Sequence, residues 1–107
     1  MIAVLFEAEA FPEAQQRYFQ LAADLKPLLT DVRGFISIER FESLTTRGKY
    51  LSLSWWEDED AIVAWKQNLM HQVAQQEGKD SVFSFFRIRV ARVFRDYSFE
   101  KGQYQHV

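Results

Sequence analysis

Four β-rich runs and two helix-period runs succeed one another along this chain in the order β-α-β-β-α-β, and few folds accommodate that order. The first run, IAVLFEAE at 2–9, starts apolar on both of its faces, as a strand covered on two sides does. Pro12 then sits where a first helical turn tolerates it, and Ala14, Tyr18, Leu21, Ala22, Leu25 and Leu29 recur at helical spacing. The spacing predicts an amphipathic helix of about 12–18 residues whose last turn Pro27 loosens. Leu25 falls in its apolar stripe, where truncation to Ala costs ~2–5 kcal/mol in a packed core.

Gly34 opens the second half of the pattern. FISIERF at 35–41 alternates, with Phe35, Ser37, Glu39 and Phe41 opposed to Ile36, Ile38 and Arg40. A polar, Gly-ended turn at 43–48 leads into KYLSLSWW at 49–56, so the two runs read as an antiparallel hairpin. The acidic tetrad at 57–60 suits a helix start. Ala61, Ile62, Trp65, Leu69, Gln72 and Val73 share one face of a continuous helix that Gly78 ends. The last β-rich run extends over 82–97, and a polar tail with isolated aromatics follows it.

The predicted fold is therefore α+β and ferredoxin-like: a four-stranded antiparallel sheet with both helices on one face. The other face still carries apolar residues in at least three strands, and an open apolar sheet face is adhesive. Two chains packing those faces together answer the problem, so a homodimer through sheet faces is expected. Aromatic residues make up 16% of the chain, ten of them Phe, which is more ring surface than so short a domain covers alone. The excess points to an interface, an apolar pocket, or both.

Composition removes several classes of function. A net charge of −2 from 13 basic and 15 acidic residues argues against nucleic-acid binding. Cysteine is absent, so disulfides, thiolate metal sites and a cysteine nucleophile are excluded. No metal-ligand spacing or Gly-rich phosphate loop occurs. The N-terminus lacks signal-peptide character and no apolar run approaches the ~20 residues of a membrane helix, so a cytoplasmic protein is expected. Arg87, Arg89, Arg92 and Arg95 cluster in the last run and are expected to pair with Glu7, Glu9, Glu39 or Glu42 across the sheet, with an anionic ligand as the alternative.

The runs GFISIERF at 34–41, YLSLSWW at 50–56 and AIVAWK at 61–66, then His71 and VARVFRDYSF at 90–99, resemble the antibiotic biosynthesis monooxygenase family, the dimeric α+β barrel proteins. The resemblance spans residues 1–99, read as one domain, with 100–107 as a tail. It implies a cofactor-independent monooxygenase that oxidises a small aromatic or quinol-type substrate with dioxygen. The alternative is a non-catalytic dimer of the same fold that binds a small apolar ligand or serves interaction. The haem-degrading branch places an Asn in the first strand and a His about ten residues past a helical Trp. Trp65 matches the Trp, but Glu7 and Gln75 occupy the other two positions.

Within that reading His71 is the proton acceptor and Trp65 its catalytic companion, while Trp55, Trp56, Glu39 and Arg40 bind substrate. Each has a structural alternative. On an unbroken helix His71 lies about 120° from Trp65, off the apolar stripe, where it would bond to water or a strand carbonyl. Trp65 could equally be core. Trp55 and Trp56 point to opposite faces, as do Glu39 and Arg40, and either charge could be one half of an ion pair.

Overall fold

The computed structural model describes residues 1–101, the side chains of Leu69 and Met70 excepted. Four strands form one antiparallel sheet in the order β2-β3-β1-β4: β1 (Ile2–Ala10), β2 (Phe35–Glu42), β3 (Lys49–Trp56) and β4 (Phe83–Arg92). Three helices are present, α1 (Gln15–Leu29), α2 (Glu59–Lys66) and α3 (Leu69–Glu77). A 3-10 turn at Pro12–Ala14 leads into α1, and a π turn at Gly78–Val82 leads into β4. None of the helices among the described residues is long and apolar enough to cross a membrane.

Strand alternation sorts the sheet into two faces. Ile2, Val4 and Phe6 of β1 share one face with Ile38 and Arg40 of β2, Ser52, Ser54 and Trp56 of β3, and Ile88 and Val90 of β4. The helices pack on this side. Two clusters hold them there. One comprises Ile2, Leu29, Trp56, Ala61, Ile62 and Trp65; the other comprises Ala10, Ala14, Tyr18, Tyr50 and Val82. Tyr18 stacks on Tyr50 at 5.2 Å between ring centres, and Phe83 meets Tyr18 edge-on at 5.5 Å. Leu25 packs against the first cluster but is only partly buried, so the cost of a fully packed leucine does not apply to it.

The structure departs from the sequence expectations in four places. α1 runs through Pro27 to Leu29 instead of loosening there, and the Thr30 hydroxyl donates to the Pro27 carbonyl at 2.7 Å to satisfy its end. A β-bulge between Phe35 and Ser37 reverses the alternation, so Phe35 joins Ile38 on the helix side, against Trp56, and Ile36 is left exposed. The helix expected from 61 to 78 is two helices. β4 ends at Arg92, the register partner of Ile2, and Val93 donates to the Met1 carbonyl at 3.0 Å, so the strand is shorter than the run expected over 82–97. Residues 102–107, most of the predicted tail, lie outside the described residues.

On the opposite sheet face, Leu5, Leu51, Leu53 and Trp55 are only partly buried, and Phe41 and Phe85 are exposed at its margins. Arg89 pairs with Glu7 there at 3.3 Å, as the cross-strand reading of the arginines expects. Arg92 instead reaches Glu59 at 3.3 Å, while Arg87 and Arg95 lie over the rings of Phe85 and Phe94.

Gly34 fixes how the β2 entry meets α2. Its φ is +82°, and a Cβ there would lie 2.6 Å from the Ala61 Cβ. Gly34→Ala is therefore expected to destabilise the fold by about 1–3 kcal/mol from the backbone conformation alone, with the steric conflict added. Urea denaturation checks this, and Ala61→Gly in the same chain should recover part of the loss.

Candidate functional site

The two core clusters do not meet. Between them, under the helices, the sheet bounds a cavity of about 190 Å³. Its floor is the row Arg40–Ser52–Phe6–Ile88, which crosses all four strands in register, with the row Ile38–Ser54–Val4–Val90 beside it. Leu21, Leu25 and Leu29 of α1 and Ile62 and Trp65 of α2 form the roof. Trp56 closes one end, its indole N–H donating to the Ser54 hydroxyl at 2.9 Å. Ile88 and Val90 are 37% and 48% exposed, so the cavity meets solvent along the β4 edge.

His71 reaches this cavity because the helix breaks. Gln67 caps the C-terminus of α2. Asn68 then starts α3: its side-chain oxygen accepts from the His71 backbone N–H at 3.3 Å, and its carbonyl accepts from Gln72 N–H at 3.0 Å. The elbow rotates everything after it. His71, Ala74 and Gln75 turn inward to the cavity, whereas Val73 is 53% exposed and Gln72 is exposed. The expected apolar face through Gln72 and Val73 is thus corrected, and Leu69 falls outside the described side chains. The 120° separation of His71 from Trp65 is corrected as well, since the two rings lie 4.9 Å apart between centres.

Three buried side-chain polar atoms have no hydrogen-bond partner among the described residues: the Tyr18 hydroxyl, the Arg40 Nε and the His71 Nδ1. All three residues line this one cavity. Unsatisfied buried polar groups are uncommon and costly in folded proteins. A mostly apolar concave space lined by a few polar side chains is the usual form of a ligand site. His71 is half-buried, and its pKa is lowered from the ordinary 6.5, first because burial disfavours the imidazolium and then because the Lys66 ammonium repels it. A neutral imidazole on the wall of an apolar space can take a proton from a bound acid.

Of the residues singled out in the sequence, His71, Trp65, Trp56 and Arg40 come together around the cavity. Trp55 and Glu39 do not reach it. They are cross-sheet neighbours of Ala3 and Leu53, with side chains on the opposite face. Glu7 also lies there, paired with Arg89, and Gln75 faces the cavity without an imidazole, so the haem-degrading pattern is not rebuilt in space. Tyr18, Ser52 and Lys66 also line the cavity. Tyr18 reads as plain core from its spacing, and nothing in a linear pattern reports that its hydroxyl is unpaired. Among the described residues no group of three His, Asp or Glu side chains is placed to hold a metal ion.

Comparison with known proteins places this geometry among relatives. The model of the family described as antibiotic biosynthesis monooxygenase matches residues 1–77. The chain is 39% identical over 93 residues to a protein of Pyricularia oryzae named jasmonate monooxygenase ABM; the match covers 87% of this chain and 43% of that protein. It is 29% identical over 85 residues to the uncharacterised protein YqjZ of Bacillus subtilis, covering 79% of this chain and 73% of YqjZ. The chain therefore spans under half the length of the Pyricularia relative. A crystal structure from Deinococcus radiodurans, described as a candidate antibiotic biosynthesis monooxygenase, superposes with a TM-score of 0.84 at 15% identity, over 94% of this chain and 99% of that one. At that identity the likeness concerns the fold.

The burial of His71 carries a pH signature. The unfolded chain takes up this proton near pH 6.5 and the folded chain only at lower pH. Stability from the neutral imidazole is then complete above the unfolded value and is lost as pH falls from there through the folded value. An NMR titration of the imidazole should give a midpoint below 6.5, and His71→Leu should remove this component from the pH dependence of urea denaturation. A midpoint at or above 6.5 would contradict the burial.

Proposed function

The chain belongs to the antibiotic biosynthesis monooxygenase family, and from that premise we propose that it is a cofactor-independent monooxygenase acting on a small, electron-rich aromatic or quinol-type substrate. The observation that carries the reading is the half-buried His71 imidazole beside Trp65 on the wall of an apolar cavity. A relative named for monooxygenation of jasmonate supports oxygen chemistry in this branch.

In this reading the substrate ring lies between the Trp65 and Trp56 side chains and the sheet floor. Water is excluded, and the neutral imidazole of His71 accepts the phenolic proton. The resulting anion is electron-rich enough to give electrons to dioxygen. A C–O bond forms at a ring carbon and the O–O bond breaks. One oxygen atom stays in the quinone product and the other leaves as water, with the substrate supplying all four electrons. Arg40 holds a polar group of the substrate at the floor. The structural alternative, a non-catalytic carrier of an apolar ligand, draws on the same cavity and lacks only the chemistry.

Dimerisation through the open sheet face belongs to this proposal. Leu5, Leu51, Leu53 and Trp55 form the centre of that face, and a second copy would cover them as a self-complementary interface. Trp55 and Glu39 then serve assembly instead of substrate.

Two measurements test these statements. Oxygen uptake should appear with a panel of hydroquinones and naphthols, and His71→Ala should lower kcat by about 10²–10⁴-fold. An unchanged rate removes His71 from the chemistry, and no uptake with any member of the panel favours the carrier. Sedimentation velocity should report a dimer for the native chain and a folded monomer or a much weaker dimer for Leu53→Glu. A native chain that sediments as a monomer would refute the interface.

A further inference from the structure

The ionisable side chains that line the cavity are all bases, two of them charged, Arg40 and Lys66, and one a neutral imidazole, His71. Fifteen acidic residues outnumber thirteen basic ones along the chain, yet among the described residues no Asp or Glu lines the cavity, while Arg40, Lys66 and His71 do. Arg40 is the unusual member. It springs from the middle of the edge strand β2 on the helix side, below α1. Its Nη2 donates to the Ala22 carbonyl at 3.4 Å, at the long limit for such a bond, and its buried Nε donates to nothing. Four other arginines, Arg17, Arg33, Arg89 and Arg92, have carboxylate partners, and Arg40 has none among the described residues. A guanidinium in an apolar wall without a counter-charge is strongly disfavoured unless something supplies one.

The shape of the missing group follows from the donors present. The guanidinium edge is planar and matches a carboxylate with two parallel N–H···O bonds. Ser52, the register partner of Arg40, lies beside it on the floor, and Tyr18 lines the same cavity. One guanidinium and two hydroxyls suit a monoanion. Apart from Lys66, His71 and Gln75 the rest of the lining is aliphatic and aromatic, so most of the remaining ligand surface meets apolar side chains.

We propose that the cavity binds an amphipathic carboxylate, a small apolar or aromatic body bearing one carboxylate, with Arg40 as its anchor. This assignment rests on the oxygenase reading for its role as substrate recognition. The anchored end is held at the β2 edge, which fixes the orientation of the apolar body within the cavity.

Binding of 4-phenylbutyrate and of 4-phenylbutan-1-ol, which share a skeleton and differ in charge, tests it by calorimetry and by quenching of tryptophan fluorescence. The carboxylate is expected to bind at least about tenfold more tightly to the native chain, as hydrogen bonds to a charged group allow. In Arg40→Gln that preference should fall to about one, the carboxylate losing more affinity than the alcohol. Should Arg40→Gln fail to fold, the native chain alone decides. The Arg40 Nε–H resonance in ¹⁵N-resolved NMR should shift with phenylbutyrate and not with the alcohol. Equal affinities in the native chain, a preference that survives in folded Arg40→Gln, or an Nε–H resonance indifferent to the carboxylate overturns the proposal. Carboxylate preference without oxygen uptake on any substrate refutes the oxygenase and leaves the anchor intact. Uptake on neutral quinols with no carboxylate preference does the reverse.

Discussion

Two packed clusters, one around Trp56 and one around Tyr18, hold the helix layer off the sheet at its ends and leave the space between them unfilled. The cavity depends on that separation. A two-layer α+β domain of this size ordinarily closes one continuous core, because each unfilled volume forfeits dispersion contacts on its walls. Here large rings at both ends act as spacers. Trp56 and Trp65 set the distance at one end, and Tyr18 on Tyr50 with Phe83 sets it at the other. The aromatic excess in the composition is therefore partly structural: rings are the side chains long enough to keep two layers apart while remaining packed themselves.

A cavity becomes chemically useful only when polar groups enter it from rigid elements. Arg40 and Ser52 come from the sheet, fixed by register. His71 comes from the elbow between α2 and α3, fixed by the Asn68 cap. The elbow also explains the electrostatics of the imidazole. Lys66 ends α2 immediately before the break, so the same change of direction that turns His71 inward leaves an ammonium close enough to discourage its protonation.

Most of the architecture was legible in the order and faces of the β-rich runs, because strand alternation converts sequence directly into sidedness. Trp56 against Trp55 and Arg40 against Glu39 are parity statements, and within each pair the structure sends one side chain to the cavity face and the other away. Parity names two faces, however, and leaves open which of them the helices cover. The bulge at Phe35 shows where the method fails, since one extra residue exchanges the two faces for everything before it. His71 failed for a related reason. A helical wheel assumes one unbroken helix, and the break at Gln67–Asn68 resets the angle. The signal was present in the sequence: Asn is a strong N-cap, and Asn68 stands three residues before His71. An apolar stripe that carries on beyond the cap masks it.

The distribution of charge is the last consequence of the same separation. Acidic residues gather where the structure can hydrate or cap them: Asp58 accepts from the Ala61 N–H at the start of α2, and its pKa is lowered by that bond. Glu77 meets Arg17 on the outside of α1 and α3, and Glu7 meets Arg89 on the far sheet face. No such arrangement reaches between the clusters, where a carboxylate from the chain would have paired with Arg40 and filled the volume. Among the described residues the cavity therefore has a guanidinium in its wall and no carboxylate.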